Sequence, residues 1–409
     1  MGEVYVLGGA QTDFALNWSR EGKGVFEMLG SAIETTLAEA GVDASDIGVA
    51  HVGNFAAELF SKQGHLGGFV ASAHPAFDGM PTARHEAACA SGSIAALAAA
   101  ADIEAGRYDA ALVLGVEQMR NVPGRVAADH LGAAAWVGRE AQDATFLWPH
   151  MFSQLADVYA QRHGLDYGHL MAIAKQAFDH GRRNPRAQTR RWSFSEASFA
   201  ADDDANPPVE GRLRRQDCGQ VTDGAAGVVL ASKAFATQWA AQRGVGLEQV
   251  ARIRGWGHRT ATMLLEDKLA RSQDQRYLFP HLRGTLEDAW RRAGLQGVDD
   301  VDCMEVHDCF SITQYMIADH LDIAPAGNPG EAIARGATGM DGRIPLNPSG
   351  GLIGCGHPVG ATGVRMLLDA QRQVTGSAGD CQVPGARLAQ TLNIGGSCTT
   401  TVSFVLGAG

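Results

Sequence analysis

"HEAACASGSIAALAAAADIEAGRYDAALVLGVEQM" runs from His85 to Met119. Its middle is a run of small and apolar residues that ends at Gly106, which reads as a buried helix with a glycine stop. "DAALVLGVEQM" follows, a continuous apolar run of strand length and so a strand covered on both faces. A tight loop, a buried helix and a buried strand in that order are one unit of a mostly parallel α/β sheet.

Similar units lie on either side. "VYVLGGAQTDF" is a strand running into a loop, and residues 25–41 show helical spacing that stops at Gly41. "IGVAHVGNF" is a second strand. The texture changes near residue 120, where Arg, Trp, His and Pro become frequent and "FSQLADVYAQRHG" and "GHLMAIAKQAFDHGRRNP" read as helices. "DGAAGVVLAS" (223–232) restores the buried-strand texture. The expected division is a first half made of 1–119 plus 217–250, an inserted loop domain at 120–216, and a second half at 251–409. In the second half "ARIRGWGHR" is strand then loop, 284–294 is helix, and "DCMEVHDCF" is a strand ending near Val306. "GGLIGCGHPVGATGVRMLLDA" is a turn into a helix, and "RLAQTLNIGGSCTTTVSFVLG" is two strands split by a glycine turn. "ACASGSIAALAAA" and "GHPVGATGVRMLLDA" occupy matching places in the halves, which suggests an internal duplication.

Composition narrows the function. The chain has 409 residues, enough for two or three domains. A net charge of −11 argues against general binding to nucleic acid or anionic membranes. Seven cysteines with no C-x-x-C pair argue against a disulfide framework or structural zinc site and fit a reducing, cytoplasmic setting. Strand-like sequence begins at once, so no signal peptide is expected. No apolar run nears the roughly 20 residues of a membrane span.

Four side chains sit at the mouths of these elements. Cys89 lies just before a helix, whose terminal N–H groups and dipole favour a thiolate, so a low-pKa nucleophile is expected. Its own N–H would also suit an oxyanion. The competing reading is an inert buried cysteine. His357, between Gly356 and Pro358, is placed either to take a thiol proton or to cap a helix. His307 and Cys309 flank Asp308 where a strand ends, the edge at which open α/β sheets bind ligands. A histidine there can donate to an oxyanion, and a thiol can move a proton at carbon. Alone, Cys309 reads as a core thiol and Asp308 as a structural carboxylate. "NIGGS" (393–397) offers bare backbone N–H groups for a phosphate or a thioester oxygen.

Together with "NPRAQ", "TDGAAGVVLAS" and "NPSGGLIGCGHP", the phrases "CASGS" and "GHPVGATG" resemble the thiolase superfamily over essentially the full chain. Two departures refine the likeness. Ordinary thiolases carry Asn-Glu-Ala-Phe where this chain has His307-Asp308-Cys309-Phe310. Their second catalytic cysteine lies in a Cys-x-Gly turn that here reads Asn393-Ile394-Gly395. In both respects the chain resembles the sterol-carrier-protein type and its bacterial and archaeal acetyl-CoA acetyltransferase relatives. Cys398, further along that turn, is not expected to substitute.

The resemblance implies duplicated βαβαβαββ halves in a layered α-β-α-β-α sandwich with an inserted loop domain. It implies acyl transfer between CoA thioesters through an acyl-Cys89 intermediate. His357 would be the base and Cys309 the acid/base at carbon, with oxyanions held by Cys89, Gly395 and His307. Pocket and coenzyme A contacts would come from His150, Met151, Gly219, Phe310, Arg182, Arg183, Arg214 and Arg215. No permanently bound cofactor or metal, nucleic acid or membrane is implied. A homodimer or homotetramer is, with no appended lipid-carrier domain. Three rivals remain. One is a retro-aldolase on a CoA ester with a small partner subunit, although such relatives use tyrosines in place of the thiols. Another is the acyltransferase subunit of a multi-subunit complex with a zinc-ribbon/OB-fold partner protein and a non-CoA acyl donor or acceptor. The last is a non-catalytic scaffold.

Overall fold

The computed structural model describes residues 2–408. In chain order the first stretch is β1 (Val4–Gln11), α1 (Val25–Ala40), β2 (Val49–Gly53), α2 (Ala57–Ser61), α3 (Leu66–Ala73), β3 (Thr82–His85), α4 (Ser91–Glu104) and β4 (Ala110–Glu117). Next come α5 (Gly124–Leu131), α6 (Leu147–His163), α7 (Tyr167–Arg183), β5 (Pro208–Glu210) and β6 (Leu213–Arg214). Then β7 (Gly224–Ser232) and α8 (Lys233–Gln242) return to the sheet. The remainder is β8 (Ala251–Thr260), α9 (Leu265–Arg271), α10 (Pro280–Ala293), β9 (Cys303–Val306), α11 (Ser311–His320), α12 (Gly330–Ala334), α13 (Thr362–Val374), β10 (Leu388–Gly395) and β11 (Thr400–Ala408).

The main sheet has strand order β3-β2-β4-β7-β1-β8-β11-β10-β9. β1 and β8 join its halves through just Tyr5↔Arg252 and Val6↔Ala251. From the outer edge inward, the first half pairs parallel, parallel, antiparallel, antiparallel. The second half repeats this along β9, β10, β11 and β8. Its counterpart of β3 has shrunk to one parallel bridge, Met304↔Leu346. α4 and α13 occupy the same slot, between the third and fourth strands of each half. This is the topology of a duplication.

Side-chain alternation sets the layers. Along β1, Tyr5 and Leu7 pack outward with Met28, Leu29 and Ile33 of α1. Val4 and Val6 face inward to a core shared with Ala95, Ala96 and Ala99 of α4 and Val364, Leu367 and Leu368 of α13. β9 likewise turns Met304 and Val306 outward to α10 and α11. α4 and α13 thus form the middle layer, with helices outside each half-sheet.

Glycines let the two central helices meet at their starts. A Cβ on Gly92 would lie 2.7 Å from Gly360 O, and one on Gly363 would lie 2.3 Å from Ser93 Oγ. Segment 118–223 leaves at the end of β4 and returns at β7, its antiparallel neighbour. Phe152, Leu155 and Tyr159 of α6 then pack beside Ile312, Tyr315 and Met316 of α11. A segment inserted in the first half therefore covers the second, with a cavity left beneath it. Among the described residues no helix is long and apolar enough to cross a membrane.

Candidate active site

Cys89 is half-buried and opens onto that cavity. The residue before it, Ala88, has φ +51°. An alanine in the left-handed region costs about 1–2 kcal/mol, and local bonds hold it there. Glu86 Oε1 accepts from Ala88 N at 2.6 Å, and Ser91 Oγ donates to Ala88 O at 2.6 Å. The thiol is not acidic, contrary to the sequence expectation. Burial pushes it up to about 12, against the N–H groups of Gly396 and of Cys89 itself, with Glu117 and Glu86 adding to the rise. Desolvation of the anion outweighs two N–H dipoles. A thiol in this state needs a neighbour to take its proton.

His357 lies beside it, their ligating atoms within 4.8 Å of each other. Its Nδ1 lies 2.7 Å from Thr362 Oγ1, whose one proton goes to Pro358 O at 2.9 Å. The hydroxyl must therefore accept from Nδ1–H, which leaves Nε2 a bare acceptor. Burial, followed by the Arg365 guanidinium, lowers this imidazole to about 3. The ring is neutral.

His307 follows β9 directly and is wholly enclosed. Its Nδ1 is 3.1 Å from Asn393 Nδ2. Burial first, then His357 and Arg365, hold it well below the usual histidine range. The His307 and His357 rings meet edge to face, with centroids 5.3 Å apart. Ligating atoms of Cys89, His307 and His357 all lie within 4.8 Å of one another. That spacing would also admit a soft divalent ion.

Asp308 turns away from this group and accepts from Leu352 N at 2.6 Å, tying the β9 loop to the turn before His357. Burial pushes it up to about 8. Cys309 lines the cavity, with Sγ 3.6 Å from Thr313 Oγ1. Burial first, then the nearby Cys89, drives its thiol well above the ordinary value. Residues just before β7 clip both loops. Gly219 N donates to Cys309 O at 2.8 Å, and Thr222 Oγ1 accepts from His357 N at 3.0 Å.

The glycine turn differs by one residue from expectation. The N–H aimed at Cys89 is that of Gly396, and Gly396 lines the cavity. Gly395 closes β10 with no room for a side chain, since a Cβ there would lie 2.3 Å from Ala87 O. Buried Lys268 secures the turn by donating to Ser397 Oγ and Thr399 Oγ1, each at 2.9 Å. Cys398 is buried near Ile394 and Phe279, away from the cavity's thiols.

The cavity holds about 360 Å³, and Phe55, Met119, Leu131, Trp148, Phe152 and Phe310 form much of its wall. Of the expected pocket contacts Gly219 and Phe310 line the cavity, with the Phe310 ring 4.7 Å from that of Phe152. His150 and Met151 do not line it. His150 bonds Gln154 at 3.2 Å, and Met151 is buried behind the wall. On α6 the cavity is lined by Leu147, Trp148, Pro149 and Phe152, of which Trp148 and Phe152 form a helical i, i+4 pair that aromatic spacing alone could have flagged. Arg182 is exposed on α7 beside Asp179, Arg183 is exposed nearby, and Arg214 bonds Asp203 at 2.7 Å. Arg215 alone of the four reaches the cavity, exposed and with no ion pair among the described residues. Cys218, a third cavity thiol, carried no sequence signal.

Comparison with known proteins identifies the family and the fold. The family described as "Thiolase, N-terminal domain" matches residues 4–190, and "Thiolase C-terminal domain-like" matches 265–408. An acetyl-CoA acetyltransferase of Methanothermobacter thermautotrophicus is 31% identical over 99% of both chains. Human sterol carrier protein 2 is 27% identical over 98% of this chain and 71% of its own. Among solved structures, human mitochondrial 3-ketoacyl-CoA thiolase in complex with CoA has a TM-score of 0.70 at 17% identity, covering 100% of this chain and 98% of that one. The structure described as "Ltp2-ChsH2(DUF35) aldolase" has a TM-score of 0.78 at 18% identity, with the same coverage.

Proposed function

This chain belongs to the thiolase family, and from that premise we propose that it is an acyl-CoA:acetyl-CoA C-acyltransferase working through an acyl-Cys89 intermediate. The observation that carries the reading is the meeting of Cys89, His307 and His357 within 4.8 Å in a cavity that also holds Cys309.

The protons can be followed. Cys89 Sγ attacks the thioester carbon as its proton passes to His357 Nε2. The N–H groups of Cys89 and Gly396 hold the oxyanion. The C–S bond to coenzyme A breaks, and Cys309 protonates the departing thiolate. Held high, the Cys309 thiol keeps its proton at rest and makes a strong base toward carbon once it has given that proton up. Cys309, now a thiolate, removes the α-proton of acetyl-CoA while His307 steadies the enolate oxygen. The enolate carbon attacks the acyl carbon and forms the new C–C bond. Cys89 departs and recovers its proton from His357. The products are a 3-ketoacyl-CoA and free coenzyme A, and thiolysis is the reverse.

Finer features belong to the same proposal. Residues 120–216 act as the domain that binds the CoA ester, between halves at 1–119 plus 217–250 and 251–409. Arg215, which lines the cavity, is the arginine that meets a CoA phosphate in this reading. The enzyme holds no permanent cofactor, works as a homodimer or homotetramer, and resides in the cytoplasm, where its seven unpaired cysteines stay reduced. A small partner protein is a further option, since the aldolase neighbour is a complex with a DUF35 protein. Thiols at both Cys89 and Cys309 favour acyl transfer over aldol cleavage.

The test is to mix the protein with acetyl-CoA and acetoacetyl-CoA, quench, and map acyl adducts by mass spectrometry. An adduct on Cys89 with release of coenzyme A is expected. No adduct with any acyl-CoA would contradict the reading.

A further inference from the structure

The two site histidines are chemically alike and must do opposite things. His357 presents a bare Nε2 because Thr362 accepts from its Nδ1. His307 can steady an oxyanion only if its cavity-facing nitrogen carries a proton. Its Nδ1 is occupied by Asn393, the residue standing where the Cys-x-Gly turn of ordinary thiolases has cysteine. An amide offers a donor or an acceptor according to which way it faces, and that orientation follows from its other bonds.

Ser93, in the first turn of α4, settles it. Its Oγ lies 2.8 Å from Asn393 Oδ1, and both residues are fully buried. Among the described residues Asn393 Oδ1 is the one acceptor for that hydroxyl proton. If the amide were flipped, the Ser93 proton would be buried without an acceptor, which is costly. Ser93 O–H therefore donates to Oδ1, and Nδ2–H donates to His307 Nδ1. The pair is held on all sides. Leu392 O accepts from His307 N at 2.9 Å. A Cβ on Gly363 would lie 2.6 Å from Asn393 Oδ1 and 2.3 Å from Ser93 Oγ, so α13 leaves room for this pair with a glycine.

We infer that Ser93 and Asn393 are positioning residues that fix His307 as the Nε2–H tautomer and so make it an oxyanion donor, the counterpart of the base that Thr362 makes of His357. The link crosses the duplication, from the first half's central helix to the second half's strand-end histidine. The inference deepens the proposed thiolase reaction and rests on that reading for its consequence, but the tautomer itself can be measured independently.

The experiment uses the full chain labelled with ¹⁵N-histidine, with His307 assigned among the 14 histidines by comparison with His307→Asn. Nitrogen shifts should show His307 with Nδ1 bare and Nε2 protonated. Asn393→Asp, nearly isosteric but without a donor, should move the proton to Nδ1. In the same variant, deuterium exchange at the α-carbon of acetyl-CoA should fall by about 10²-fold, the effect of losing one oxyanion donor, and acylation of Cys89 by much less. Ser93→Ala, which adds no buried charge, should lower exchange by up to about 10-fold and populate both tautomers. It keeps the test decisive if Asn393→Asp fails to fold. A wild-type His307 protonated on Nδ1, or equal losses in exchange and acylation, would overturn the inference. If the wild-type protein forms no acyl adduct, the thiolase reading fails, while the tautomer measurement still judges this one.

Discussion

The two halves share a topology and divide the chemistry unequally. In the first half the loop after β2 serves as scaffold. Asn54 Nδ2 donates to Val116 O at 2.8 Å and to Glu117 Oε1 at 2.9 Å, and Glu117 also accepts from Phe55 N, Ala56 N and Gly360 N. At the matching end of β9 the second half places His307 and Cys309. The central helices differ in the same way, with a thiol before α4 and an imidazole before α13. The second half has also lost its outer strand to a single bridge at Leu346. In the proposed reaction one copy supplies the nucleophile and a rigid frame, and the other supplies the base, the acid and the enolate donor.

The comparison can be broken at the nucleophile. Cys89→Ser should lower turnover by about 10⁴-fold or more, because acylation precedes every later step. Burst measurements of coenzyme A release would show it. In the second half, His357→Asn should slow acylation by about 10²–10⁴-fold, the usual range for a lost general base, read by single-turnover mass spectrometry. At the seam between the halves, Gly363→Ala forces a Cβ to 2.3 Å from Ser93 Oγ and 2.4 Å from Ser93 N. Overpacking there should cost about 1–3 kcal/mol, seen as a lower denaturation midpoint in urea.

The smallest expected effect is a flat pH profile. The Cys89 thiol loses its proton near 12, and His357 takes one up near 3. A base with a lowered pKa stays competent until the pH falls through that value, and a raised thiol stays protonated until the pH rises through its own. The resting pair is thus neutral thiol and neutral imidazole throughout the middle range. Acylation measured from about pH 6 to pH 9 should change little. A limb near the ordinary histidine value would mean that His357 is more solvated than its burial indicates.

Much of this was legible in the sequence because strand ends and helix starts are marked locally. Val306 closes β9, and the glycines at 41 and 106 close helices, as the pattern of apolar runs and glycines required. What depended on packing across the chain was not legible. The protonation of Cys89 follows from enclosure by loops remote in sequence. Gly396 rather than Gly395 faces the thiol because β10 runs to Gly395 before the turn begins. His150 and Met151 lie on the right helix, but α6 presents Trp148 and Phe152 to the cavity. Arginine is frequent in 120–216, yet Arg190 pairs with Asp13, Arg212 with Asp157, and Arg214 with Asp203. Sequence shows where a charge is and not what neutralises it.

The most direct test asks whether the two thiols act separately. Cys309→Ala should be mixed with acetyl-CoA in deuterium oxide, and one sample assayed for both the Cys89 adduct and deuterium at the α-carbon. The adduct should still form, more slowly because the departing thiolate must then take its proton from water, while α-exchange falls by about 10²–10⁴-fold against wild type. Loss of the adduct together with exchange, or exchange that persists without the Cys309 thiol, would contradict this division of labour.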